Sequence, residues 1–290
     1  MVAQSKREIE SVLAEAGTRP RHQFGQNFMI DQNLVRLVAE AGEISRDDVV
    51  IEVGPGTGTL TEELIARAGR VVAVEIDRDL AGMLRKKFDT ETQAPGDVGK
   101  AEVRLVEGDA LAGKHALRSE IVEVIRESRA EGRRVKLVAN LPYNIASPLV
   151  IEMLIEGVEL LAFTVQKEVA QRIGAKPGGE EYGPLSVMAQ MLARVELLRT
   201  LPAQAFWPAP KIESALVRLR REDRLGDRAR DFGRFVHTLF SFRRKTLRKA
   251  LSQAGYEAEK VLAKVGVDGG RRGEEFSPVE FWRMLARSCE

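Results

Sequence analysis

The 290-residue sequence predicts an α/β protein, a largely parallel sheet covered by helices on both faces, followed by a small all-α domain. Three observations predict it. Short β-branched runs alternate with helical periodicity from Val49 to Ala139. A glycine-rich turn follows the first of those runs, and beyond a charged stretch at Arg220 to Arg230 the apolar spacing becomes purely helical. A chain of 32.2 kDa is long enough for one substantial core with a smaller second domain, here expected over 1–222 and 223–290.

Ile9, Val12, Leu13 and Ala16 stand at helical spacing and Gly17 and Pro20 end the pattern, so Val2 to Ala16 is expected to be an amphipathic helix. After a polar loop, Asp31 is placed to cap a helix over Leu34 to Ala41. Val49 to Val53 is a buried strand halted by Gly54. The order then repeats: helix Leu60 to Ala68, strand Val71 to Val74, helix Leu80 to Phe88, strand Val103 to Val106, helix Leu117 to Arg129, strand Val135 to Ala139. Alternation of this kind makes a parallel sheet, because each crossover needs a helix. Ala162 to Gln166 reads as a further strand and Leu185 to Leu192 as a helix, and Val195 to Leu201 with Ser214 to Leu219 close the sheet as late antiparallel strands. The last domain holds candidate helices at Phe232 to Phe240, Thr246 to Ala254, Glu257 to Val265 and Pro278 to Ala286. Asp89 to Lys100 and Arg129 to Arg134 read as surface insertions.

Composition excludes several classes. With 44% hydrophobic and 30% charged residues and a mean hydropathy of -0.20, the chain is neither disordered nor fibrous. No run approaches the roughly 18 apolar residues that span a bilayer, so no membrane association is expected. The net charge is only +2, so any surface for a polyanion must come from clustering. The single cysteine, Cys289, excludes an intramolecular disulfide, and His22, His115 and His237 are scattered, so no metal site is expected. The first twenty residues carry Glu8, Glu10 and Glu15 without an apolar stretch, which argues against a secretory or mitochondrial leader and for the cytoplasm.

The densest signal is Glu52-Val53-Gly54-Pro55-Gly56-Thr57-Gly58-Thr59, set between the first strand of the alternating series and its helix. Glycines there let the backbone run close beneath a nucleoside, where a Cβ would collide. Glu75, at the end of the next strand, can accept from both ribose hydroxyls. A pyrophosphate site runs G-x-G-x-x-G; this loop runs G-x-G-x-G, and Pro55 removes an N–H that a phosphate would use, which favours S-adenosylmethionine over a dinucleotide. Asp109, in Gly108-Asp109-Ala110 after the third strand of that series, is placed to accept from the cofactor's adenine amine.

Asn140-Leu141-Pro142-Tyr143 ends the fourth strand of the series. The exocyclic amine of adenine is a poor nucleophile because its lone pair is delocalised into the ring. The Asn140 side-chain oxygen and the Leu141 carbonyl can accept both amine protons and hold the nitrogen near sp³ geometry, with no deprotonating base required. Tyr143 offers a face on which an extruded base can stack.

Arg21 to Phe28, the glycine loop, Glu75-Ile76-Asp77, Gly108 to Ala110, Asn140 to Tyr143, Gln166 to Val169, Tyr182 to Val187 and Phe206 to Ser214 resemble, in order, the small-subunit rRNA adenine dimethyltransferases. The likeness runs along nearly the whole chain. It implies a Rossmann-like S-adenosylmethionine-dependent methyltransferase fold and dimethylation of the N6 amines of two adjacent adenosines near the 3′ end of 16S rRNA, late in assembly of the small ribosomal subunit. By position it implies cofactor contacts from Asn27, Met29, Gly54, Gly56, Glu75, Asp109, Ala110 and Asn140, with Met29 where the family more often has Leu. Asn140, Leu141, Pro142 and Tyr143 would carry the chemistry, and Phe206 would sandwich the target base against Tyr143. The two insertions depart from the shorter bacterial pattern.

Arg243, Arg244, Lys245, Arg248 and Lys249 put five basic residues within seven positions at an expected helix start, a candidate phosphate-binding patch. A 23S rRNA methyltransferase of the macrolide-resistance type remains an alternative; that branch usually carries Ile where this chain has Leu141. A mainly non-catalytic subunit assembly factor is another, although a pure binding module has no need for the Asn140 acceptor. DNA adenine methylation would share the tetrapeptide but not the late Phe-x-Pro-x-Pro loop. A large RNA partner makes a monomer the expected state.

Overall fold

The computed structural model describes residues 4–21, 24–88 and 101–288. Helix α1 (Lys6–Glu15) opens with Ser5, whose side chain accepts from Glu8 N while Glu8 answers at Ser5 N, a reciprocal cap. Strand β1 (Phe28–Met29) follows, then α2 (Gln32–Ala41), where the Asp31 carboxylate accepts from Asn33 N and Leu34 N. The alternating core is β2 (Asp48–Val53), α3 (Thr59–Ile65), β3 (Arg70–Glu75), α4 (Arg78–Phe88) and β4 (Glu102–Glu107). A small hairpin, β5 (Leu111–Gly113) and β6 (Ala116–Leu117), precedes α5 (Ser119–Ala130) and β7 (Arg134–Asn140). Next come α6 (Ala146–Ile155), β8 (Leu160–Gln166), α7 (Lys167–Gly174), α8 (Pro184–Leu192), β9 (Ala193–Leu201), β10 (Phe206–Trp207) and β11 (Ser214–Arg221). The chain ends in α9 (Ala229–Ser241), α10 (Leu247–Gln253), α11 (Ala258–Val265) and α12 (Pro278–Ser288).

Seven strands form one sheet in the order β4-β3-β2-β7-β8-β11-β9. Strands β4 through β8 are parallel and β11 runs antiparallel to β8. Val50, Val71, Val138, Ala162 and Leu216 present one face of this sheet to α2 and α3. The alternate residues Val49, Ile51, Val72, Leu137, Leu161 and Phe163 are equally buried, so both faces are covered. The chain leaves β2 toward β3 and β4, then returns to place β7 on the other side of β2. Loops at the carboxyl ends of β2 and β7 therefore diverge and leave a crevice.

The elements predicted from periodicity are all present, with ends shifted by a few residues. Helices α6 and α7 are additions to that prediction: α6 is apolar nearly all round, so it has no amphipathic period to detect. The two-residue strands β1, β10 and β6 are too short for any alternation to register. Asp89 to Lys100 lies outside the described residues, as do His22 and Cys289. Arg129 to Arg134 is the exposed end of α5 and a tight turn through Gly132 (φ 74°) into β7.

The chain divides into two compact units, residues 1–170 with 196–221, and residues 171–195 with 222–290. Residues 171–195, expected in the first domain, thus cluster with the C-terminal helices. The reason is Tyr182, 1% exposed, which stacks edge-on against Phe240 and donates its hydroxyl to Phe276 O at 2.8 Å. The charged linker marks only the second passage of the chain into that unit. No helix among the described residues is long and apolar enough to cross a membrane.

Candidate active site

A cleft with about 920 Å³ of empty space, part of it open to solvent, lies at the carboxyl ends of β2, β3, β4 and β7. Gly54, Gly56 and Gly58 all take positive φ (73°, 60° and 82°), which turns the chain sharply between β2 and α3. A Cβ on Gly56 would lie 2.9 Å from the Phe28 ring, and one on Gly54 3.2 Å from Pro142. The glycine loop is therefore wedged between the N-terminal segment and the tetrapeptide after β7.

Two carboxylates stand at the cleft wall. Glu75, 3% exposed, accepts from Gly56 N at 3.1 Å and Asp77 N at 2.9 Å. Burial pushes its pKa up to about 7 against those two backbone donors. Glu52 accepts the Thr61 hydroxyl at 2.6 Å, and burial raises it to about 8, with the charge of Glu75 adding to the shift. Asp109, exposed, caps Leu111 N at 2.9 Å. Three acids thus line the cleft, and no Lys, Arg or His does so among the described residues.

The segment before β1 is clamped across one side. Arg21 reaches Asp77 at 3.2 Å and Asp79 at 2.6 Å, and Gln26 donates to Asp77 at 3.1 Å while accepting from Arg21 N. Helix α1 braces it from below, with Ile9 and Leu13 packed against Phe28 and Leu80. Arg21 reads from the sequence as part of a small basic cluster with Arg19 and His22, but its pairing and that of Gln26 with Asp77 do not, because Asp77 lies more than fifty positions away.

Asn140 stands at the end of β7 and lines the cleft. Its Nδ2 donates to Asn27 O at 2.7 Å, and its Oδ1 accepts the Thr164 hydroxyl. Leu141 is 1% exposed, so its backbone rather than its side chain is what it offers the site. Tyr143 is half-buried; its Oη lies 2.7 Å from Ser214 Oγ, and burial raises its pKa. Thr164 and Ser214 escape a reading of the sequence as individual contributors: each is a buried hydroxyl, and only the sheet register brings it beside its partner.

Of the expected cofactor contacts, Asn27, Met29, Gly54, Gly56, Glu75, Asp109, Ala110 and Asn140 all line the cleft, as does Pro142. Phe206 does not. Its ring is 1% exposed and sits in the hydrophobic core with Met29, Leu34, Val35 and Leu216, held there by pairing of β10 with β1. The expected sandwich of a base between Phe206 and Tyr143 is therefore not presented in this structure.

In the helical unit, Arg243, Arg244 and Lys245 form an exposed turn ahead of α10, and Arg248 and Lys249 lie on its first turn. Arg243 donates to Glu180 O and Arg248 pairs with Glu259. Arg244, Lys245 and Lys249 are exposed and without an ion pair among the described residues. No group of three or more potential metal ligands occurs among the described residues.

Residues 17–287 match the family described as ribosomal RNA adenine dimethylase. The chain is 39% identical to the ribosomal RNA small subunit methyltransferase A of Moorella thermoacetica, covering 93% of each chain. It is 37% identical to the protein of the same name from Bacillus cereus, over 94% of this chain and 92% of that one. Among solved structures it resembles the 23S rRNA methyltransferase ErmE (TM-score 0.64, 26% identity, 91% of this chain and all of that one). It shares its fold with a dimethyladenosine transferase from Plasmodium falciparum (TM-score 0.69, 21% identity, 89% of this chain and 96% of that one).

Proposed function

The chain belongs to the ribosomal RNA adenine dimethylase family, and from that premise we propose that it dimethylates the N6 amines of two adjacent adenosines near the 3′ end of 16S rRNA, using S-adenosylmethionine. The observation that carries the reading is an acid-lined cleft with no basic residue among the described ones, bordered by Asn140 and Pro142. A pyrophosphate would find no cation among the described lining residues, whereas a sulfonium with an uncharged ribose suits three carboxyl groups. Glu75 would hold the ribose hydroxyls, Asp109 and Ala110 the adenine edge, and the backbone at Asn27, Met29, Gly54 and Gly56 the remainder.

When bound, this cofactor supplies an electrophilic methyl group. The chain's own part is to prepare the nucleophile. Asn140 Oδ1 and the Leu141 carbonyl accept the two amine protons and draw the nitrogen lone pair out of the ring. Pro142, beside Gly54 at the cleft wall, would restrict the turn that carries those acceptors. Tyr143, tethered through Ser214, gives the extruded base a surface. The amine proton lost on transfer can leave to solvent, since attack precedes deprotonation and no residue must serve as base. The helical unit, residues 171–195 with 222–290, would hold rRNA phosphates through Arg243, Arg244, Lys245, Arg248 and Lys249.

The higher identity to relatives named for the small subunit than to the 23S enzyme favours the small-subunit target. Transfer of labelled methyl to unmethylated small subunits, with large-subunit rRNA and DNA in parallel and nucleoside analysis of the product, tests it. N6,N6-dimethyladenosine in small-subunit RNA alone is expected. Label in large-subunit rRNA would assign the chain to the resistance branch, and tight subunit binding without label would make it an assembly factor.

A further inference from the structure

Asn140 at the end of β7 lies directly opposite Thr164 in the parallel register with β8. Thr164 is wholly buried in a strand of otherwise apolar neighbours, Leu160 to Val165. A valine there would fill the same volume and suit a strand better, so the hydroxyl calls for a reason. Its hydrogen goes to Asn140 Oδ1, and its carbonyl accepts from Leu141 N at 3.2 Å. One residue therefore holds the Asn140 carboxamide through its side chain and the backbone N–H of Leu141 through its carbonyl.

We propose that Thr164 is a positioning residue for methyl transfer, setting the plane of the Asn140 carboxamide; this rests on the reading of Asn140 given above. The carboxamide is held at both ends. Asn27 O can only accept, so it dictates that Nδ2 faces the N-terminal segment. That single bond still leaves the amide free to swing about it. The Thr164 hydroxyl removes this freedom and leaves one lone pair of Oδ1 for the substrate amine. With the hydroxyl absent, Oδ1 loses its buried donor and the acceptor pair formed with the Leu141 carbonyl loses its geometry.

Thr164→Val removes the hydroxyl and keeps the branched shape; Thr164→Ser keeps the hydroxyl. Single-turnover methyl transfer at saturating S-adenosylmethionine and small subunits should fall roughly 10- to 100-fold in the valine variant, the usual cost of misplacing a reacting group. The dissociation constant for small subunits should stay at its unsubstituted value, the melting temperature should fall by no more than a few degrees as Oδ1 loses its donor, and the serine variant should recover most of the rate. Equal loss in both variants, or a valine variant at full rate, overturns the proposal. The Asn140 side-chain amide signals in a ¹⁵N–¹H spectrum, assigned with Asn140→Asp, give a readout independent of turnover. They should shift and broaden in Thr164→Val and not in Thr164→Ser, and unchanged signals in the valine variant also overturn it. If the unsubstituted chain transferred no methyl to adenosine, the functional reading would fall while these spectra still judged the role of Thr164.

Discussion

Substituting Phe206 separates a core role from a base-stacking role, because the two differ in what a leucine can replace. The ring is 1% exposed among Met29, Leu34, Val35, Leu201 and Leu216. Phe206→Ala opens a cavity in that cluster and should cost about 3–5 kcal/mol. At about 2–4 °C per kcal/mol for a unit of this size, the melting temperature falls by roughly 6–20 °C. Phe206→Leu retains most of the apolar volume and loses only the flat face. A stacking platform would forfeit about 1–3 kcal/mol with that face, which is roughly 5- to 150-fold in methyl transfer. The structure predicts otherwise: the leucine variant melts within a few degrees of the unsubstituted chain and transfers methyl at a similar rate. Differential scanning calorimetry beside a methyl-transfer assay decides. A leucine variant of unchanged melting temperature with a tenfold loss of transfer would refute the reasoning and return Phe206 to the site.

Asn140→Ala should abolish most turnover and leave subunit binding intact, whereas neutralising Arg244, Lys245 and Lys249 should flatten the salt dependence of binding, by about 0.7–0.9 in slope for each phosphate no longer neutralised; equal weakening of binding in both would defeat this division. Gly56→Ala forces a side chain into φ 60° and within 2.9 Å of Phe28. Left-handed strain of about 1–2 kcal/mol should weaken S-adenosylmethionine roughly 5- to 30-fold by titration calorimetry, and undiminished affinity would contradict the loop's role. Glu75 has its pKa raised from 4.5 to about 7, so the folded state holds a proton that the unfolded state has lost between those values. Its contribution to stability is therefore full below pH 4.5 and declines as pH rises through 7. Ribose hydroxyls donating to Glu75 favour its ionised form, so cofactor affinity should climb with pH and level off above about 7. Calorimetry at pH 6 in buffers of different ionisation enthalpy should show proton release, and a buffer-independent heat would count against it.

The parallel sheet and the residues that line the cleft are legible because each rests on local sequence. Three positive-φ glycines after a β-branched run, a carboxylate ending the next strand and Asp109 after the third are all read from neighbours in the chain. What escaped depends on register. Thr164 meets Asn140, and Ser214 meets Tyr143, only because β8 lies between β7 and β11. The resemblance marked Phe206 as part of a motif, but a motif names positions and not which way a ring faces; β10, two residues long, turns it inward against Met29. Residues 171–195 joined the helical unit through Tyr182, whose partners Phe240 and Phe276 lie far downstream.

The pairing of Phe28 and Met29 with Trp207 and Phe206 splices the segment that borders the cofactor cleft to the loop that leads to Ser214 and hence Tyr143. Asn27 in the first segment also holds Asn140. Under the proposed function, the segment beside the cofactor and the segment beside the target base are joined by that pairing and by the Asn27–Asn140 bond, so each is placed to feel the other's ligand. Linkage makes such coupling symmetrical: by whatever factor a seated methyl donor tightens the grip on adenosine, a seated adenosine tightens the grip on the donor. A spent donor that loosened the splice would, by the same reciprocity, be helped out by the product it had just made.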